Sequence, residues 1–406
     1  MKNSDWKKIN LSDIARIYDG THQTPNYVES GVPFYSVEHV TSGDFDDTKF
    51  ISEEVFAAES RRVVVEKGDI LMTRIGDVGN AKYIDWDVRA SFYVSLALLK
   101  CKDAVDPRFI AYLINSDTGR REIWAKTLHV AFPNKINLGD IGKCTFETPP
   151  KEVQMQIVQV VKVWDEYLEN LDQKIELKKK IKKGLMQQLL TGNKRLPGFT
   201  SEWITEEIGQ LGSTYPGLTG KSKEHFGNGS PYISYMNVYG NYEIDMNSLK
   251  LVDVGTEEKQ SKATYGDILF TTSSETPYEV GMSSVYLNEG QDEVYLNSFC
   301  FGFRLKDFNS LHPKFAKYLF RGVAFRKAMT RIAQGASRYN LSKKYFLTTK
   351  IYLPASIQEQ LAISDILESC DQEIMILKKM RDRISQQNKY LLNHLVSGQI
   401  QIPSTI

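Results

Sequence analysis

Gly220-Lys221-Ser222 has the ending of a phosphate-cradling loop, in which backbone N–H groups hold a nucleotide's phosphates and the lysine reaches them. That pattern needs a glycine five residues before Gly220, but Tyr215 stands there and Gly217 is out of register. Thr148-Pro149-Pro150 has the outline of the Asn-Pro-Pro-aromatic motif that holds a flipped adenine, but Thr replaces Asn and Lys151 replaces the aromatic. No Gly-rich strand-to-helix turn for a methyl donor precedes it. Glu176-x-Lys178 has the spacing of a nuclease metal motif, yet it falls on a long charged helical stretch. The six histidines (22, 39, 129, 225, 312 and 394) include no pair at helical metal-binding spacing. The chain is therefore expected to have no active site, and no bound metal or cofactor, of its own.

Other segments carry side chains suited to nucleic acid. Arg and Asn can make paired hydrogen bonds to guanine and adenine edges, while Lys, Ser and Thr suit phosphates. Thr73-Arg74-Ile75-Gly76-Asp77-Val78-Gly79-Asn80, with Lys82 just beyond, forms a turn with two glycines. Its counterpart later in the chain, Thr271–Val280, offers Ser273, Ser274 and Thr276 but no Arg. Thr21, His22, Gln23 and Tyr27 lie in a polar, turn-rich stretch, answered by Lys221, Ser222 and Lys223. His129–Asn137 carries Asn134 and Lys135, and Gln334–Asn340 carries Ser337, Arg338, Tyr339 and Asn340. Tyr235 and Asn237 complete the candidate set. The same segments also read as plain hairpin turns, solvated loops and helix-to-strand connections. The Lys run at 178–183 reads as the solvated face of a helix.

The elements that must hold these loops occur twice. Trp6 and Trp203 each open a segment. Gly31-x-Pro33 returns as Gly229-x-Pro231, and Gly68-Asp69-Ile70-Leu71 as Gly266-Asp267-Ile268-Leu269, both at an offset of 198. Asn137-Leu138 answers Asn340-Leu341. Pro150 with Gln154-x-Gln156 answers Pro354 with Gln358-x-Gln360 at 204, and Asp172-Gln173-x-Ile175 answers Asp371-Gln372-x-Ile374 at 199. Such an ordered set at one drifting offset is a duplication.

Each half opens with about 150 residues of mixed structure. Apolar runs at Phe34–Val40, Arg62–Val65 and Phe92–Leu99 are matched by Pro231–Tyr239, Asp267–Thr272 and Val294–Leu305. Helical pieces follow around Pro107–Leu128 and His312–Ala333, each with a proline suited to a first helical turn. Each half then closes with a long helix. Ile157, Val160, Trp164, Tyr167 and Leu171 alternate spacings of four and three, continuing less cleanly through Ile181 and Leu185. Leu367, Cys370, Ile374, Leu377, Ile384, Leu391 and Leu395 do the same. That is a coiled-coil seam, predicting a rod of roughly 50–60 Å.

Fifty-one basic against 50 acidic residues leave a net charge of +1, so any basic surface must be local. No apolar run approaches the roughly 20 residues that span a bilayer, and four scattered cysteines (101, 144, 300 and 370) form neither a C-x-x-C pair nor a disulfide framework. A cytoplasmic protein with no membrane partner is expected.

The duplicated plan resembles a specificity subunit of a type I restriction-modification system. The resemblance is carried by Gly31-Val-Pro-Phe-Tyr, Gly68-Asp-Ile-Leu-Met-Thr-Arg-Ile-Gly and Gln334-Gly-Ala-Ser-Arg-Tyr-Asn-Leu. The Pro-x3-Gln-x-Gln helix starts and the Leu190-Thr-Gly and Val396-Ser-Gly helix exits add to it. One departure is Met155, where an acidic residue usually precedes the second Gln; Glu359 keeps it. The resemblance implies an α+β fold: two mixed α/β target recognition domains separated by two long helices in an antiparallel coiled coil, with a pseudo-two-fold repeat. The expected division is 1–150 for the first recognition domain, 151–192 for a central helix and 193–200 for a linker, then 201–353 for the second domain and 354–398 for the C-terminal helix. It also implies double-stranded DNA as ligand, each domain reading half of an asymmetric split target, with two methyltransferase subunits docked on the helices and restriction-translocase subunits joining them. S-adenosylmethionine, ATP and magnesium are then expected on those partners. The competing reading is a coiled-coil scaffold whose end domains bind protein or sugar.

Overall fold

The computed structural model describes residues 5–130, 132–290 and 293–402. It divides into two compact units, one of residues 1–172 with 379–406 and one of residues 173–378. The two longest helices, Lys151–Leu189 and Ile357–Val396, are each shared between the units.

In the first unit an antiparallel sheet runs Ala15–Asp19, Leu96–Cys101, Ile70–Thr73, Ala81–Tyr83. All four residues of Ile70–Thr73 are buried, as a central strand covered on both faces requires. A second sheet orders Tyr27–Val28, Lys49–Ile51, Val32–Tyr35, Ser91–Phe92, its last pair parallel. Lys7–Asn10 pairs with Thr145–Thr148. The second unit repeats the first sheet strand for strand: Gly212–Pro216, Cys300–Leu305, Ile268–Thr271, Ser283–Val285. Its other sheet keeps the three equivalent strands but places its extra strand, Lys262–Ala263, at the opposite edge.

Several sequence expectations break at polar residues. The Phe34–Val40 run is a strand to Tyr35 and a helix from Val37, because Ser36 at the helix N-cap exchanges hydrogen bonds with His39. Pro231–Tyr239 divides in the same way at Ser234, which accepts from the Asn237 N–H. Arg62–Val65 is no strand. Val63 and Val65 fill one apolar cluster and Val64 another, so burial accounts for the run without a ladder. The helical piece after Pro107 is two helices, Pro107–Asn115 and Asp117–Ala125, with Ser116 capping the second.

In each unit the long helices run antiparallel. In the first, Tyr167 meets Met380, and Arg381 lies 3.1 Å from Asp172. In the second, Lys178 meets Glu373 at 2.7 Å and Lys182 meets Asp371 at 2.5 Å. Leu171, Ile374 and Leu377 are buried in the seam as expected, and Ile175 is buried with them. Ile181, by contrast, is 44% exposed and Lys182 only 7%, so the seam continues through lysines. Lys178 and Lys182 therefore face the opposite helix, not solvent. Each aliphatic stem fills a seam position while its ammonium finds a carboxylate.

The helix starts also shift the repeat. Gln154 accepts from the Asp106 N–H and donates to the Pro149 carbonyl, and Gln360 does the same with His312 and Pro354. Gln154 thus answers Gln360, and the residue opposite Glu359 is Val153, not Met155. Glu359 is fully buried and held by Arg195 and Trp203.

Candidate nucleic-acid interface

The Gly-containing turn of the first unit is built around Thr73. Its N–H donates to the Asn80 carbonyl at 2.8 Å, its carbonyl accepts from Gly79, and its hydroxyl oxygen accepts from the Asn80 N–H. Gly76 and Gly79 sit at φ +85° and +92°, where a side chain would be strained. The second unit repeats the bonds with Thr271, to Met282 and Gly281. Thr73 and Thr271 are both fully buried. Thr73, expected to face DNA, instead folds the turn.

Arg74 likewise turns inward. Its guanidinium donates to the Ile136 and Val94 carbonyls, both at 3.2 Å, and lies 3.7 Å from Asp19. Burial pushes its pKa down, with Asp19 opposing. Burial would raise Asp19, but hydrogen bonds from His22 and Arg62 prevail and hold its carboxyl below the usual range. Around this pair four backbone segments meet. Arg74 N–H bonds Ser95, Val94 N–H bonds Thr21, Ile136 N–H bonds Arg74, and Gly76 N–H bonds Asn134, at 2.8–2.9 Å. The structure therefore brings together the 20–27, 73–80, 92–95 and 129–137 segments. His22, Gln23, Tyr27 and Lys135 are exposed on them, and Thr21, Asn80, Lys82 and Asn134 half-buried. His22 bonds Asp19 at 2.8 Å, and Lys82 lies over the Trp86 ring.

The second unit builds the same meeting point as a small sheet. Ser273–Ser274 pairs with Tyr339–Leu341, which pairs with Ala333–Gln334. Thr272 N–H bonds Phe299 and Leu341 N–H bonds Thr272, both at 2.8 Å, reproducing the bonds of Arg74. Ser273, Ser274 and Asn237 are buried: Tyr235 donates to the Ser273 carbonyl, Ser274 to Glu279, and Asn237 to the Asp245 carbonyl. These three position the surface from beneath it. Thr276, Ser337, Arg338 and Asn340 are exposed, Tyr235 and Tyr339 half-buried. Lys221 is paired with Glu258, and Ser222 with Glu224 and His225 of its own turn; Lys223 is exposed.

Two arginines absent from the sequence expectations fix these turns. Arg120 donates to the Val78 carbonyl, and Arg326, 206 residues later, to the carbonyls of Tyr278, Val280 and Gly281. Burial lowers the pKa of Arg120 and pushes Arg326 down to about 10. Their recurrence at one offset was the available signal. Exposed aromatics were also missed: Tyr278 is 75% exposed, and Phe299 carries the Arg338 guanidinium 5.3 Å above its ring.

Among the described residues no group of three or more His, Cys, Asp or Glu is placed to hold a metal, and no helix is long and apolar enough to cross a membrane. Burial pushes the Cys101 and Cys144 thiols up to about 12, far from a reactive thiolate.

A family model described as the type I restriction modification DNA specificity domain matches residues 3–187 and again residues 200–386. The type I restriction enzyme MjaVIII specificity subunit of Methanocaldococcus jannaschii is 21% identical, over 98% of this chain and 93% of that protein. The solved S subunit of the M. genitalium type I restriction-modification system is similar in fold, with a TM-score of 0.54 at 17% identity over 97% of each chain. A chain from a structure describing assembly and conformational transition of the type I R-M system gives a TM-score of 0.63 at 16% identity, over 98% of this chain and all of that one. With the model matched twice and most of its length covered, the chain belongs to the type I restriction modification DNA specificity family.

Proposed function

We propose that the chain is the sequence-reading subunit of a type I restriction-modification complex, each unit reading one half of an asymmetric split DNA target. The observation that carries this is the doubled loop cluster: in both units the turn after the Gly-Asp-Ile-Leu strand is bonded to the loop before the long helix. The exposed residues differ, His22, Gln23 and Lys135 in one and Ser337, Arg338 and Asn340 in the other. Unlike surfaces read unlike sequences, so the target is not a palindrome. The helical pair sets the gap between half-sites and docks two methyltransferase subunits. Those bring S-adenosylmethionine, and the restriction subunits bring ATP and magnesium, leaving recognition to this chain. Its near-zero net charge is consistent with phosphate contacts supplied largely by partners.

The test is methylation mapping. The chain is expressed with its methyltransferase in a methylation-free host, and the genome is sequenced for modified adenines. A single split, asymmetric motif with a fixed gap is expected. An unmethylated genome despite a stable complex would refute the reading and favour the scaffold.

A further inference from the structure

Val130 and Phe132 are the most exposed large apolar side chains described, at 99% and 104% of full exposure. The excursion that carries them is pinned at its base. Leu128 and Lys135 exchange backbone hydrogen bonds at 2.7 and 3.4 Å, Ile75 bridges to Lys135, and Gly76 donates to the Asn134 carbonyl at 2.8 Å. At its start the ring centroids of Trp124 and His129 lie 4.3 Å apart. Residues 128–137 include Lys135 and His129 and no carboxylate.

A bare ring in water forfeits roughly 25 cal/mol per Å² of apolar area that a partner would cover. Its neighbours name the partner. The excursion is bonded to the turn that bears the first unit's reading surface, and its charge suits phosphate. Proteins that kink DNA insert apolar side chains between base steps in just this company, beside a basic side chain. We propose that Phe132 enters the base stack of the half-site read by the first unit and unstacks one step, while Lys135 takes a flanking phosphate. The equivalent loop of the second unit has no such wedge. Ser337 and Arg338 stand there, with Arg338 laid over Phe299. Distortion by a wedge is therefore confined to one half-site. The proposal rests on the DNA-reading function above.

The experiment uses the full chain in complex with its methyltransferase subunits and duplexes holding the mapped target, with 2-aminopurine placed in turn at each position of both half-sites. Besides the adenines that the methyltransferase subunits flip, a fluorescence rise is expected at one further step, in one half-site. Phe132→Ala should abolish it and weaken binding roughly five- to 150-fold, the range of a lost base–aromatic stack. Phe132→Trp should preserve it. Because the side chain is exposed, the melting curve of Phe132→Ala should match the parent's. A parent complex that binds the split target with no unstacked step other than the flipped adenines overturns the wedge and leaves the reading function standing, as does a signal unchanged in Phe132→Ala. So does a variant whose only defect is failure to bind methyltransferase, which would assign the ring to a protein contact. A parent complex that binds no split target overturns the function itself.

Discussion

Tyr318 donates its hydroxyl hydrogen to Asp371 of the second long helix at 2.9 Å, and the other oxygen of that carboxylate takes Lys182 of the first. The first unit repeats this 206 positions earlier: Tyr112 donates to Asp165 at 2.6 Å, and Asn388 takes the place of Lys182. In each unit one carboxylate thus fastens a domain helix to both long helices. Burial and the adjacent carboxylate push both phenols up in pKa, so they remain donors. Tyr318 is fully buried, and Tyr318→Phe should cost roughly 1.5–3 kcal/mol, the worth of a hydrogen bond to a charged group. Urea unfolding of the chain would check it; an unchanged midpoint would show that the contact holds nothing.

The exchange of Lys182 for Asn388 leaves a mark. The Asn388 side-chain oxygen is buried with no hydrogen-bond partner, whereas Lys182 also lies 3.9 Å from the Tyr242 ring centroid. Asn388→Lys removes the orphaned acceptor and sets an ammonium beside Asp165. A gain of about 1 kcal/mol is expected, visible as a raised melting temperature. A lowered one would mean the lysine cannot reach the carboxylate.

The same contacts show where the sequence misleads. Asp172-Gln-x-Ile resembles Asp371-Gln-x-Ile at an offset of 199, yet the residue that does the work of Asp371 is Asp165, at 206. The difference is one heptad, and a seam that repeats every seven residues can be matched one repeat out of register at no loss of likeness. The duplication, the paired sheets and the long antiparallel helices were legible because periodicity and order survive in sequence. Which polar residues of a turn face outward was not. Thr73, Arg74, Ser273 and Ser274 are the types that contact DNA, and also the types that satisfy a turn's own backbone. Lys178 and Lys182 were misplaced for a related reason: the residue type announces a charge, and only the carboxylates opposite reveal that it points inward.

Arg74 and Lys135 should separate support from contact. Arg74→Ala takes donors from the Val94 and Ile136 carbonyls, so it should lower the melting temperature as well as relax reading in one half-site. Lys135→Ala should leave melting unchanged, weaken DNA binding by the complex, and reduce its salt slope by about 1. Equal loss across both half-sites in either variant would contradict separate reading by the two units.

The spacer proposal is tested by inserting four residues into each long helix, between Asp172 and Gln173 and between Lys378 and Lys379. These points leave the pairs at Asp165 and Asp371 intact within their units. One added turn is about 6 Å, close to two base pairs. Methylation mapping should return the same two half-sites with a longer gap. An unchanged gap would remove the helices as its determinant.

Asp19 sets an acid limit on the first unit's surface. Its carboxyl is held below the ordinary aspartate value of 3.8, so its stabilising effect is complete above that value and is lost as pH falls through the lowered one. Asp19→Asn should therefore melt earlier than the parent near neutral pH, the difference closing in acid. A gap that stays constant with pH would show that the Arg62 and His22 contacts add nothing to stability.

The division of the long helices has a consequence for biosynthesis. The second unit is one uninterrupted segment, 173–378, whereas the first needs residues from 379 onward, among them Leu395 and Val396, to complete its buried cluster. Domains usually fold in the order in which the ribosome delivers them. Here that order is reversed: the half made first waits, with the seat of Leu395 and Val396 open, until the whole of the second unit has been made.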